Sequence, residues 1–96
     1  MSQFYLTPNA KKSLRNIGIH TKNNWGSDQY KKYLKSFYDC FGKLVQSPLV
    51  GKKRDEIHKN LRSYNNGKHV IFYMIKNNDI IILDILHARM DVNTRL

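Results

Sequence analysis

Leu61-Arg62-Ser63-Tyr64, then Asn66-Gly67, then His69-Val70-Ile71-Phe72-Tyr73-Met74-Ile75, then Asn77-Asn78, then Ile80-Ile81-Ile82-Leu83-Asp84-Ile85-Leu86-His87, is the stretch that decides the fold. Its runs are rich in β-branched and aromatic residues and are separated by turn pairs. That pattern describes two successive hairpins, and Asn-Gly is the pair preferred by type I′ turns. The last run is nearly all apolar, so it belongs at the centre of a sheet with both faces covered. Ile80 and Ile82 fall on one side, and Ile81, Leu83 and Ile85 on the other. A single layer of helices would then leave a second apolar face in need of a cover, which the rest of the chain is too polar to supply. Asp84 interrupts the run and needs a partner, because an unpaired buried carboxylate is costly. A basic residue on a neighbouring strand or a backbone amide would serve.

Working back toward the N-terminus, residues 47–60 are polar and basic, with Gly51 and the run Lys52-Lys53-Arg54, and read as a loop with at most one helical turn at 55–60. Before it, Tyr30, Leu34, Phe37, Phe41, Leu44 and Val45 hold one face of a helix, and Lys31, Lys32, Lys35 and Asp39 the other. Leu34, Phe37, Phe41 and Leu44 are expected to face the sheet. Ser27 suits the cap of this helix, Asp28 its first turn, and Pro48 its end. An earlier amphipathic helix carries Ala10, Leu14 and Ile17, opens at Thr7-Pro8 and fades between Gly18 and Asn24. Trp25 is expected to close the hairpin between the two helices. Gln3-Phe4-Tyr5-Leu6 reads as a strand. The order is a strand, an α-helical hairpin and three antiparallel strands, β-αα-βββ, which is an α+β two-layer domain occupying residues 1–96 as one unit.

The chain carries 17 Lys and Arg against 7 Asp and Glu, a formal net charge of +10. Such an excess attracts polyanions, either nucleic acid or an acidic protein. A small basic domain is modestly stable alone and would gain from a partner. No known nucleic-acid-binding motif accompanies the charge, so direct sequence-specific nucleic-acid binding is not expected. A lone cysteine, Cys40, closes neither a disulfide nor a cysteine-based metal site, and reads as a small buried thiol. No cofactor and no metal are called for. The first residues lack the pattern of a signal peptide and the longest apolar run is too short for a membrane span, so the expected location is the cytoplasm.

Taken together, Tyr5-Leu6-Thr7-Pro8 with Ala10 and Leu14, then Thr21 and Trp25-Gly26, then Phe41, Leu44 and Pro48-Leu49-Val50-Gly51, resemble the N-terminal half of ParE-type toxins. Leu61-Arg62-Ser63, His69-Val70-Ile71-Phe72-Tyr73 and Ile85-Leu86-His87-Ala88-Arg89-Met90-Asp91 are similar to the C-terminal half. The resemblance runs in order along essentially the whole chain. It implies the RelE/ParE-like fold and a toxin of a type II toxin–antitoxin pair, bound by the C-terminal segment of a cognate antitoxin in a hetero-oligomer. For the ParE branch it implies DNA gyrase as the target and growth arrest as the result. In the RelE branch the same fold is a ribosome-dependent mRNA interferase.

The nuclease alternative needs a base, an acid and cations for the phosphate, and its candidates are Arg62, His87 and Arg89. They would meet only if one sheet face joined them. The tail after His87 carries no tyrosine and no second histidine, a departure from the interferase pattern that favours binding over catalysis. Should the chain be an enzyme, it would be an endoribonuclease. The plainer reading of His87 is a strand-end histidine that hydrogen-bonds a neighbour and orders the tail, and the same holds for His69. For the target, the resemblance points to His87, Arg89 and Asp91. For the antitoxin it points to Lys52, Lys53 and Arg54, whose charge would steer an acidic segment, together with Tyr30 and Tyr33.

Overall fold

The computed structural model of the chain describes residues 2–89. Strand β1 (Phe4–Leu6) leads into helices α1 (Pro8–Trp25) and α2 (Ser27–Gln46). A 3-10 turn (Pro48–Val50) and a two-residue strand β2 (Lys52–Lys53) follow, and then β3 (Arg62–Asn66), β4 (His69–Lys76) and β5 (Asp79–His87). The sheet has five strands in the order β1-β5-β4-β3-β2, with β1 parallel to β5 and the remaining pairs antiparallel. Lys52 and Lys53 are therefore an edge strand and not a loop. Their pairing with Ser63 and Arg62 is long-range, so no local pattern announces it. No helix among the described residues is long and apolar enough to cross a membrane.

Thr7 ties the first strand to the first helix. Its hydroxyl accepts the Ala10 amide as an N-cap and donates to the Leu83 carbonyl at 2.7 Å, while Pro8 takes the first helical position. Helix α1 does not fade at Gly18. A Cβ there would lie 2.7 Å from Cε1 of Tyr30, so this glycine serves the close approach of α2. The Thr21 hydroxyl is satisfied by the Ile17 carbonyl within the helix. The joint between the helices is Gly26 alone, at φ 88, which ends α1 and precedes α2 with no side-chain cap, so Ser27 begins the helix instead of capping it. Trp25, at 73% exposure, does not close the hairpin.

The turns also differ from expectation. Asn66 ends β3 and pairs with His69, leaving Gly67-Lys68 as the central pair, and only Gly67 has positive φ. Asn77 and Asn78, at φ 53 and 67, both take the left-handed conformation that a type I′ turn requires.

Between the helices and the sheet lie Ala10, Leu14, Phe37, Phe41 and Leu44, packed on Ile71, Tyr73, Ile80, Ile82 and Ile85. Leu34 sits at the margin of this core, only partly buried. Ile85 is on the helix side with Ile80 and Ile82, against the simple alternation of the strand. A bulge explains it: Tyr73 pairs with Ile82 and Phe72 with Asp84, which leaves Leu83 as an extra residue and shifts the parity beyond it. Asp84 is satisfied by one distant and one adjacent donor, accepting the Ser13 hydroxyl of α1 at 2.6 Å and the Ile85 amide at 2.8 Å.

The other face carries a smaller cluster of Leu61, Phe72 and Leu86, with Ile57, Val70, Met74 and Leu83 around it. Residues 54–61 fold over it, and the Arg54 guanidinium stands 5.7 Å above the Phe72 ring. The chain thus covers part of its second sheet face itself, which the polar composition of that segment did not suggest.

Candidate functional site

Helices α1 and α2, with Leu6 of β1, border a groove of about 390 Å³. Leu6, Leu14, Gly18, Ile19, Tyr30, Leu34 and Tyr38 supply its apolar surface, and Lys11, Arg15 and Lys22 stand along one wall. The three cations share α1, four and seven residues apart, so helical periodicity lines them up on one side. The ion pairs among the described residues are Lys35–Asp39 and Arg54–Glu56, so no carboxylate answers this row. An apolar floor beside unanswered positive charge suits an acidic amphipathic segment.

The residues expected to bind an antitoxin do not form one surface. Tyr30 lines the groove. Tyr33 turns elsewhere: its hydroxyl is 2.5 Å from Nδ1 of His69, and its ring packs edge-on against Phe37. Lys52 and Lys53 lie on the edge strand farthest from β1, about 19 Å away across four strand spacings. Arg54 is engaged by Glu56 at 2.7 Å, by the Ser63 hydroxyl and by the Phe72 ring.

The catalytic candidates are likewise separated. Arg62 pairs with Tyr73 and His87 with His69, which itself faces Asn66, so the two positions differ by four residues along the strands, about 13 Å, as well as by two strand spacings. One guanidinium nitrogen of Arg62, Nη1, donates to the Gly51 carbonyl at 2.9 Å and the Leu49 carbonyl at 3.4 Å. His87 accepts the Arg89 amide at Nδ1, 3.1 Å, and its ring meets that of His69 edge-on at 5.4 Å. Burial first, then His87 and His20, hold the His69 imidazole below its ordinary pKa, and burial pushes the Tyr33 phenol up. Tyr33, Phe37 and His69 brace α2 against the strand ends. Asp91 lies outside the described residues. Among those residues no group of His, Cys, Asp and Glu is placed to hold a metal.

The family model of the ParE toxin of the type II toxin–antitoxin system parDE matches residues 4–92. The chain belongs to the ParE toxin family. Toxin ParE of Escherichia coli is 29% identical over 97 residues, covering all of this chain and 94% of that protein. Among solved structures, a chain of the chromosomal ParDE system from P. aeruginosa superposes with a TM-score of 0.76 at 21% identity, covering 91% of this chain and 95% of that one. A chain of the toxin–antitoxin complex RelBE2 from Mycobacterium tuberculosis gives 0.63 at 22% identity, covering 90% and 96%. These likenesses bear out the α+β RelE/ParE-like fold.

Two features of this ParE family member escaped the sequence reading. The groove with its row Lys11, Arg15 and Lys22 is one, because it exists only where α2 crosses α1, running into a stretch in which α1 was expected to fade. The exposure of Leu49 and Val50 was equally hidden, since residues 47–60 read as a polar, basic loop and the pair fell inside it. The signal that was available is Gly18, a small residue inside a helical pattern, which marks a close crossing.

Proposed function

We propose that this ParE-family toxin acts by binding protein and not by cleaving RNA, with DNA gyrase as its target and a cognate antitoxin as its neutralising partner. The groove between α1 and α2 carries the reading. It offers an apolar floor and a row of cations to an acidic amphipathic helix, whereas Arg62 and His87 stand at opposite ends of the sheet, too far apart to act on one phosphate. The excess of positive charge, Lys52 and Lys53 included, speeds the approach of an acidic partner over distance. A gyrase target would have the toxin act in the cytoplasm.

Purified toxin, DNA gyrase and relaxed plasmid test the proposal. Supercoiling is expected to stop or cleaved DNA to accumulate, and the antitoxin encoded beside the toxin gene should reverse either effect. Unaffected gyrase at saturating toxin defeats the gyrase assignment. Codon-positioned cuts in the messages of induced cells would replace binding with the interferase reading.

A further inference from the structure

The 3-10 turn Pro48–Val50 exposes two aliphatic side chains on a backbone that cannot give way. Leu49 is 70% and Val50 44% exposed. The turn beneath them is fastened at several points: the Val50 amide donates to the Ser47 carbonyl, the Gly51 amide to the Tyr73 hydroxyl at 2.9 Å, and that hydroxyl to the Pro48 carbonyl at 2.7 Å. Arg62 adds its bonds to the carbonyls of Leu49 and Gly51. Proline fixes one backbone angle of the turn, and Gly51 lets the buried Tyr73 ring approach where a Cβ would strike it. Scattered exposed apolar residues need no explanation, but a pair held out on a rigid turn is already ordered for binding, so little conformational entropy is lost on docking.

Beside this knuckle, Arg62 forms one wall of a polar cleft of about 260 Å³ shared with Lys53, Asp55, Asn60, Leu61 and Ile75. Ile75 adds a third exposed aliphatic side chain to the patch, at 38%. Lys53 and Arg62 are directly opposite in the β2–β3 register, a like-charged pair that is unfavourable within the chain. The one carboxylate of the cleft, Asp55, accepts the Asn60 amide at 3.0 Å, and neither cation has an acidic partner among the described residues. A carboxylate from outside would relieve the repulsion. The anchors are aliphatic and not aromatic, so they offer nothing for bases to stack on and favour a protein over a nucleic acid.

The geometry points to the Leu49–Val50 knuckle and the Lys53–Arg62 cleft as the surface by which the toxin grips its protein target, an apolar socket rimmed with carboxylates. This rests on the reading of the chain as a protein-binding toxin, and it gives target and antitoxin separate surfaces, the second being the helical groove. Leu49→Ser/Val50→Ser, made in the full chain, tests it. Both side chains are exposed, so the fold is retained. The dose needed for growth arrest in bacteria lacking the antitoxin, and for inhibition of DNA gyrase, is expected to rise about 30-fold or more, as for central anchors of an interface. The dissociation constant for the antitoxin should stay within about twofold, and Leu49→Ile should restore toxicity. A double variant as toxic as its parent overturns the proposal. Antitoxin binding lost in step with toxicity also overturns it, assigning the knuckle to the antitoxin, and RNA binding lost in step would make it a nucleic-acid surface. If the parent arrests growth and leaves gyrase untouched, the gyrase assignment falls and the growth measurement still decides the knuckle. A parent that does not arrest growth removes both.

Discussion

Replacing Tyr73 with Phe removes one oxygen from a fully buried ring and leaves the packing of that ring in place. The oxygen accepts the Gly51 amide and donates to the Pro48 carbonyl, so its loss strands a buried N–H and frees the turn. Burial holds this phenol above its ordinary pKa despite the Gly51 amide and Arg62, so the neutral hydroxyl is the form lost. An orphaned buried donor costs about 1–3 kcal/mol. Taking about 2 kcal/mol, and roughly 4–8 °C per kcal/mol for a domain this size, the melting temperature should fall by about 8–16 °C. Gly51→Ala attacks the same contact from the other side: its Cβ would lie beneath the phenolic oxygen, 2.6 and 2.8 Å from ring carbons of Tyr73, an overpacking worth about 1–3 kcal/mol. In the double variant part of that clash has gone with the oxygen. Urea unfolding of the parent, both single variants and the double variant should therefore give a total loss about 1 kcal/mol smaller than the sum of the two. Losses that add within about 0.3 kcal/mol would show that Tyr73 does not fasten this turn.

Phe41→Ala empties the centre of the helix-side core, where Phe4, Phe37 and Tyr38 surround the ring, and should cost about 3–5 kcal/mol by chemical denaturation; a loss under about 1 kcal/mol would contradict the packing. Asp84→Ala strips the Ser13 hydroxyl and the Ile85 amide of their acceptor and should cost about 2 kcal/mol, with a smaller loss for Ser13→Ala, read from the same unfolding curves. Because the folded chain holds the His69 pKa below its usual 6.5, the unfolded chain takes up the proton first as pH falls, and stability should be flat above that pH and decline below it. His69→Gln should flatten the decline below about pH 6.5, and an unchanged slope would place its origin elsewhere. Trp25→Ser should leave the unfolding midpoint within about 0.5 kcal/mol of the parent, since that ring is in water.

What the sequence by itself determined is what depends on neighbours along the chain. The 3.6-residue recurrence of Phe37, Phe41 and Leu44 selected the buried side of α2, and Thr7-Pro8 placed the start of α1. The apolar run 80–86 identified an interior strand covered on both faces, but the middle of the sheet falls to β4, whose Ile71, Phe72 and Tyr73 are equally buried, because strand order is set by pairing and not by hydropathy. Order along the whole chain was enough for the family. What only the tertiary structure decided depends on residues distant in sequence. The parity of Ile85 turned on a bulge opposite Phe72 and Tyr73, and the status of Lys52 and Lys53 as an edge strand on pairing with Arg62 and Ser63. The groove appeared where Gly18 lets Tyr30 come close, and the separation of Arg62 from His87 is a matter of strand register. Leu49 and Val50 were exposed by the same long-range bonds from Tyr73 and Arg62 that hold their turn. Side-chain periodicity reports which face a residue takes within its own element; which faces meet, and which are left to a partner, is set by pairings whose entropy of closure and geometry no local window contains.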